Sequence, residues 1–260
     1  MASTASRYAA PALDKGLDIL EALAAEPGGL TQAEIAAALR RSVGEIFRML
    51  ETLLRRGYVA RDEASARYAL SLKLFELAHR HPPTHRLLEA ALPRMRALAQ
   101  ATGQSVHLSV RAGRRLLVLA QAEGFSDMGF SVKAGSSYPF RADRTSARVL
   151  AAFAAPEEAS LLHAMLGRGH AAELLRIQKD GVLAIPSDTI AGVTDICAPV
   201  LDAAGVAVAA LNLTWLARRG DRAGAASAAG RVVAAAGAVS AALGFRPPAR
   251  LRRPLAPRAQ

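Results

Sequence analysis

The chain contains a single cysteine, Cys197, in 260 residues. One thiol cannot close an intramolecular disulfide, so the fold must be held by its core, and a reducing cytoplasm is a compatible location. Cys197 sits in an apolar segment without any neighbouring nucleophile cue and reads as a buried structural thiol. Catalytic signatures are missing as well. There is no G-x-S-x-G, no Walker A, no dinucleotide fingerprint and no zinc spacing. Asp188 and Asp195 stand singly and make no acid–base pair, so an enzyme is the weaker class and no cofactor is expected. His79, His81 and His85 lie in a polar stretch without the further ligands that a metal site needs. A membrane span needs about 20 predominantly apolar residues, and the richest stretches, 203–211 and 223–242, are interrupted by Gly, Arg or Ser. Residues 1–11 lack the basic start and apolar centre of a signal peptide and read as a disordered leader. No internal repeat is evident.

Apolar residues make up 52% of the chain, enough to build the core of one large or two small domains. Lys and Arg total 33 against 22 Asp and Glu, but the location of that excess matters more than its size. Residues 1–80 hold 11 basic and 10 acidic side chains and are nearly neutral. Residues 246–260 hold five arginines, four prolines and no acid. That tail reads as disordered, and its arginines would either attract DNA non-specifically or simply solubilise the chain.

The informative stretch runs from Thr31 to Tyr58. Thr31 has the spacing of a capping box with Glu34, and Ile35 and Leu39 follow on one helical face. Arg40 and Arg41 break the pattern, and Ser42 can cap a second helix. On that helix Ile46, Leu50 and Leu53 share a face, joined by Phe47 and Leu54, and Gly57 ends it. Two short helices meeting at a polar corner suit a helix-turn-helix, although any helical hairpin would show the same pattern. The flanks favour the former. Residues 58–61 and 66–70 alternate around a polar loop at 62–65, as a wing hairpin would. Upstream, Leu13, Leu17, Leu20 and Ala24 share one face of a helix that Pro27, Gly28 and Gly29 stop. This is the element order of a winged helix-turn-helix domain over residues 12–70.

Residues 71–83 follow as a short helix and a hinge at His81-Pro82-Pro83-Thr84, where two prolines favour an extended path. A second domain is expected over 84–245. It reads as helix 86–102, strands 105–111, 115–121 and 128–133, helices 142–153, 157–167 and 171–181, strands 195–201 and 206–214, and a closing helix 222–243. Helix 142–153 would be capped by Asp143 or Thr145. His107 alternates with core positions on its strand and reads as a satisfied polar-face histidine. Such a grouping is an α+β sheet domain with helices packed on it. A purely architectural DNA protein would not need a second domain of this size.

Read together, ALDKGLDILEALAAEPGGLTQAEIAAAL and FRMLETLLRRGYVARDEASARYALSLKLFELA resemble the N-terminal domain of the IclR family of bacterial transcriptional regulators. The resemblance continues through TGQSVHLSVRAGRRLLVLAQAEG, ADRTSARVLAAF and GVTDICAPVLDAAGVAVAALNLT, covering about residues 12–243. One departure is local: the recognition helix begins Ser42-Val43-Gly44-Glu45 where many members carry a Pro-Lys-Ser-Thr type start. The resemblance implies a GAF-like α/β ligand-sensing domain behind the winged helix. It also implies that a ligand sits between the sheet and the start of the helix after Pro139. The matching positions are Phe130, Tyr138, Arg144, Thr145, Asp195, Asn212 and Thr214. Members often carry small residues where Arg144 and Thr145 stand.

The residue chemistry agrees with that site. Asn212 and Thr214 are two apart on a strand and point to one side, and buried polar groups there need partners. Arg144 precedes a helix start, where an anion also meets backbone N–H groups. A small organic acid or an aromatic carboxylate is therefore the expected effector, with Phe130 and Tyr138 against its apolar part; alternatively Arg144 fills the space by pairing with Asp195. On double-stranded operator DNA, Arg40 and Arg41 are expected on phosphates, with Ser42 and Gly44 beside them. Arg48 is expected on a phosphate or guanine edge, Glu45 on a cytosine amino group and Arg67 in the minor groove. Glu45 reads equally as a helix-start carboxylate. A homodimer or homotetramer on a pseudo-palindromic site is expected, with Leu72, Phe75 and Leu77 as contact stripe.

Overall fold

The computed structural model describes residues 10–79, 82–124, 130–187, 190–217 and 224–246. The rest of the expected leader and basic tail, His81, Asp188 and the first part of the expected strand 128–133 lie outside them. The chain divides into two compact units, Met1–Pro82 and Pro83–Gln260.

The first unit orders α1 (Pro11–Ala25), α2 (Gln32–Ala38), α3 (Val43–Arg55), β1 (Val59–Arg61), β2 (Tyr68–Leu70) and α4 (Lys73–His79). It is a winged helix-turn-helix. Both motif helices start in a capping box: Thr31 with Glu34, and Ser42 with Glu45. Each also ends in a paired turn. Tyr58 N–H donates to Leu53 C=O at 2.9 Å and Gly57 N–H to Leu54 C=O at 2.9 Å, around the left-handed Gly57 (φ 75°). At the end of α2 the same turn is built on Arg40, with Arg41 N–H on Ala36 C=O at 2.9 Å and Arg40 N–H on Ala37 C=O at 3.1 Å. Ile19, Leu23, Ile35, Ile46, Leu50, Val59 and Tyr68 form the core.

Two expected faces are corrected. On α1 the inward residues are Ile19 and Leu23, while Leu13 and Leu17 are 62% and 48% exposed. On α3 Phe47 does not join the core; it is 52% exposed. In both helices leucine, phenylalanine and alanine occupy so many positions that apolar spacing alone does not choose the buried side.

The second unit contains α5 (Pro82–Thr102), β3 (Ser105–Ala112), β4 (Arg115–Ala122), β5 (Ser137–Pro139), α6 (Thr145–Ala152), α7 (Pro156–Leu166), α8 (Ala171–Asp180), β6 (Leu183–Pro186), β7 (Val193–Leu201), β8 (Ala207–Leu216) and α9 (Gly224–Ala242). The expected hinge is corrected at its prolines. Pro82 and Pro83 are the first residues of α5, where proline's fixed φ and missing N–H cost nothing. The expected third strand is also corrected. Residues 130–133 carry no strand, and the edge strand β5 begins after a turn in which Gly135 has φ 86°. Short β6 escaped notice because only Leu183 of its four residues is buried.

All ladders of the six-stranded sheet are antiparallel, in the order β5-β4-β3-β8-β7-β6. One face packs Val106, Leu108, Ile196, Val200, Leu211 and Leu213 against Ala91 and Met95 of α5 and Val232, Ala236 and Val239 of α9. α9 is 19 residues long and apolar enough to cross a membrane by composition; its buried residues lie in this core. The other face holds Leu116, Cys197 and Ala210 against α6 and α8. A bulge shapes that face: Leu108 pairs with Ala120 but Ser109 with Val118, leaving Leu119 as the extra residue. The slip turns Ala120 toward α5 and α9 while Leu116 and Val118 point to the opposite side.

Candidate functional site

Two features stand out, one in each unit. In the first, several ionic side chains near the helix-turn-helix are engaged within the domain. Glu45 accepts from Lys15 Nζ at 2.7 Å through one oxygen, and from Ser42 N–H at 3.2 Å and Ser42 Oγ at 3.1 Å through the other. These donors hold its carboxyl down to about 2. It therefore acts as a helix cap and a tie to α1, and both oxygens are in use. Arg41 Nη2 donates to Asp18 at 2.9 Å. Arg67 turns inward from the wing, donating to Gly29 C=O at 2.7 Å and to Glu34 at 3.2 and 3.3 Å. A minor-groove reach for Arg67 would require breaking those bonds.

Arg40 and Arg48 remain exposed on the same motif. Arg40 has φ 54°. A left-handed backbone costs a non-glycine residue about 1–2 kcal/mol. Glycine would remove that cost. Ser42, Val43, Gly44, Phe47 and Arg48 line the outward side of α3. Sequence reasoning missed Val43 and Phe47 on this surface; the apolar pattern had pointed Phe47 inward.

In the second unit a cavity of about 230 Å³ opens between the sheet and the start of α6. Phe130, Tyr138, Arg144, Thr145, Asp195 and Thr214 all line it, so six of the seven expected positions converge. The seventh, Asn212, is 1% exposed and sits behind the wall. Its Oδ1 accepts from Thr145 Oγ1 at 3.2 Å, and its Nδ2 donates to Ser146 Oγ. Asn212 thus positions two lining residues rather than facing the cavity. His107, Ser109, Asp143, Ser146 and Ser187 also line it and were not expected there. Alternation on β3 did mark His107 and Ser109 as sharing a face; what covers that face is a tertiary fact.

Arg144, not Asp143 or Thr145, is the N-cap residue of α6, and its side chain makes no capping bond. Its guanidinium lies over the Tyr138 ring, 4.9 Å from the centroid. Asp143 is 3.9 Å from Arg144 but only 2.6 Å from Arg141, which holds its carboxyl below the usual range. A cation stacked on an aromatic ring at a helix start is a suitable anchor for a carboxylate. Pockets for drug-sized ligands measure about 300–1,000 Å³, so this smaller cavity suits a small acid or a single ring. Cys197 lies behind the same wall, fully buried, with its thiol pushed well up by burial. Among the described residues no cluster of metal-ligating side chains occurs.

Residues 12–63 match the family model described as IclR helix-turn-helix domain, and residues 83–241 match Bacterial transcriptional regulator IclR C-terminal. The glycerol operon regulatory protein of Streptomyces coelicolor is 27% identical over 80% of this chain and 85% of its own length. The HTH-type transcriptional repressor AllR of Salmonella typhi is 24% identical over 95% of both chains. An IclR homolog from Microbacterium hydrocarbonoxydans, crystallised with 4-hydroxybenzoate, shares the fold with a TM-score of 0.75 at 20% identity, over 89% of this chain and 98% of its own.

The cavity has a pH signature. Burial pulls the His107 imidazole down to about 4, so it is neutral at pH 7. The unfolded chain takes up this proton near pH 6.5, whereas the folded protein resists until about 4. Stability is thus lost as pH falls through that window. Denaturant unfolding of wild type and His107→Gln at pH 7 and 4.5 checks this. Wild type is expected to lose on the order of 2 kcal/mol more than the variant; equal losses would mean that His107 titrates normally.

Proposed function

The chain belongs to the IclR family of bacterial transcriptional regulators, and from that premise we propose that it binds a pseudo-palindromic operator as a homodimer or dimer of dimers under the control of a small organic acid. Its relatives are named as regulators and repressors, and it is a DNA-binding transcriptional regulator with a ligand-binding C-terminal domain, not an enzyme. The effector is a small organic acid or an aromatic carboxylate. The observation that carries this reading is Arg144, stacked on Tyr138 at the start of α6 and facing a cavity of about 230 Å³. A fold neighbour that holds 4-hydroxybenzoate supports the same size and charge class. Phe130 and Tyr138 would contact the ring or chain, while Asp195, Thr145 and Thr214 would supply polar contacts around it.

On the DNA side, α3 would enter the major groove, and two copies would lie about 34 Å apart along one face of the duplex, or a multiple of it. Arg40 and Arg48 supply the contacts with phosphate or guanine; Ser42 and Gly44 lie at the same interface, and Arg41 would exchange Asp18 for phosphate. Dimerisation is supported by exposed apolar side chains in the first unit: Leu13 (62%), Leu72 (81%), Phe75 (60%) and Leu77 (41%). The protein would work in the cytoplasm, where its operator is.

Two measurements test the two halves separately. Arg40→Gly relieves the left-handed strain, so it is expected to raise the melting temperature while weakening DNA binding and reducing the salt slope of log K by about one. An unchanged slope would remove Arg40 from the phosphate contacts. For the cavity, a thermal-shift screen with organic acids is expected to find carboxylates that stabilise wild type but not Arg144→Ala. Equal stabilisation of both proteins would remove Arg144 as the anchor.

A further inference from the structure

The first two turns of α3 expose two large apolar side chains, while Arg48, Glu51, Thr52 and Arg55 make the rest of the exposed side polar. Val43 and Phe47 are 51% and 52% exposed. Being four residues apart, they are neighbours on the helix surface, while Ile46 and Leu50 face the core. Neither outward side chain is needed to close that core.

Gly44 lies beside them. A Cβ added there would meet nothing within 4 Å, and the backbone is not left-handed. Neither crowding nor conformation within the domain calls for a glycine, and in a helix glycine is less stable than alanine. Glycine at such a position lets another surface come up against the backbone. Glu45, the carboxylate beside Gly44, is already engaged within the domain through both oxygens. The patch is bordered by exposed Arg48 on the same helix and Arg40 at its corner, which suits a polyanion with an apolar group displayed in its groove. In duplex DNA that group is the 5-methyl of thymine, the apolar feature of the major-groove edge.

We propose that Val43, Gly44 and Phe47 form a methyl-reading patch that selects thymine through its 5-methyl group, with Gly44 admitting the helix backbone close to the base edges. This rests on the DNA-binding reading above. Arg48 then reads or anchors beside the thymine, and Glu45 positions the helix against α1 without touching a base.

The test uses the full chain. An operator is first selected from randomised duplexes, and each thymine of one half-site is then replaced singly by deoxyuridine, which removes only the methyl. Wild type is expected to lose about fourfold in affinity at one or two positions, the worth of one buried methyl. Phe47→Ala is expected to bind the thymine and deoxyuridine operators equally. Gly44→Ala is expected to melt at a higher temperature yet bind the thymine operator more weakly. The proposal is overturned if no deoxyuridine substitution affects wild type, or if Phe47→Ala keeps the full penalty. It is also overturned if light scattering shows that Phe47→Ala breaks the dimer with the penalty intact, which would assign the patch to a second copy. Selection that enriches no duplex at low salt would instead remove the DNA-binding reading itself, a result distinct from an operator that binds without methyl dependence.

Discussion

A buried carboxamide must find partners. Asn212 lies near the middle of β8, between β3 and β7, at 1% exposure. Left unpaired it would cost about 1–3 kcal/mol. It is satisfied by Thr145 Oγ1 and Ser146 Oγ, the first two residues of α6. That pairing sets where α6 meets the sheet. With α6 held there, Arg144 projects from the helix start over Tyr138, and the space between sheet and helix becomes the cavity. The bulge between β3 and β4 completes it by turning Leu116 and Val118 to the same side. The sheet's opposite face is committed to α5 and α9 and leaves this one free to vary.

The first unit solves a different problem with the same economy. A short helix-turn-helix has little core, so its geometry is set at the helix ends. Two capping boxes and two paired turns satisfy the terminal backbone groups of α2 and α3. Lys15–Glu45, Arg41–Asp18 and Arg67–Glu34 then tie the elements together. Partly exposed pairs of this kind contribute little stability individually; their value is in orienting α3 against α1 and the wing against α2. A nearly neutral domain can still face DNA, because Arg40 and Arg48 are exposed on the motif.

Much of this was legible in the sequence, for local reasons. The capping-box spacing at Thr31 and the N-cap at Ser42 are short-range signals, and both caps form; Glu45 makes the second a box as well, which the sequence reading did not include. The period-two pattern of β3 and β8 identified the strands and the shared side of Asn212 and Thr214. Family resemblance placed six of the seven cavity positions together. What was not legible depended on tertiary partners. Apolar spacing could not tell which side of α1 or α3 was buried, so Leu17 and Phe47 were turned the wrong way. Pro82 and Pro83 carry the same signal for a hinge as for a helix start. Asn212 was rightly placed on the α6 side of the sheet, but only packing shows that Thr145 and Ser146 cover it. Arg67 looked like a wing-tip cation because Glu34 and Gly29, its partners, lie more than thirty residues earlier.

In the proposed function, an acid in the C-terminal cavity and an operator on the N-terminal motif act on one equilibrium. Two ligands coupled in this way must change each other's affinity by the same factor. The most direct measurement is calorimetric titration of one stabilising carboxylate into the full-length protein, free and saturated with operator. Operator affinity is then measured with and without that carboxylate. The expected result is a dissociation constant for the acid that differs between free and DNA-bound protein by the same factor, and in the same direction, as the operator's own shift. Identical acid affinities in the two states, with operator binding unmoved, would contradict the claim and leave two independent binding domains on one chain.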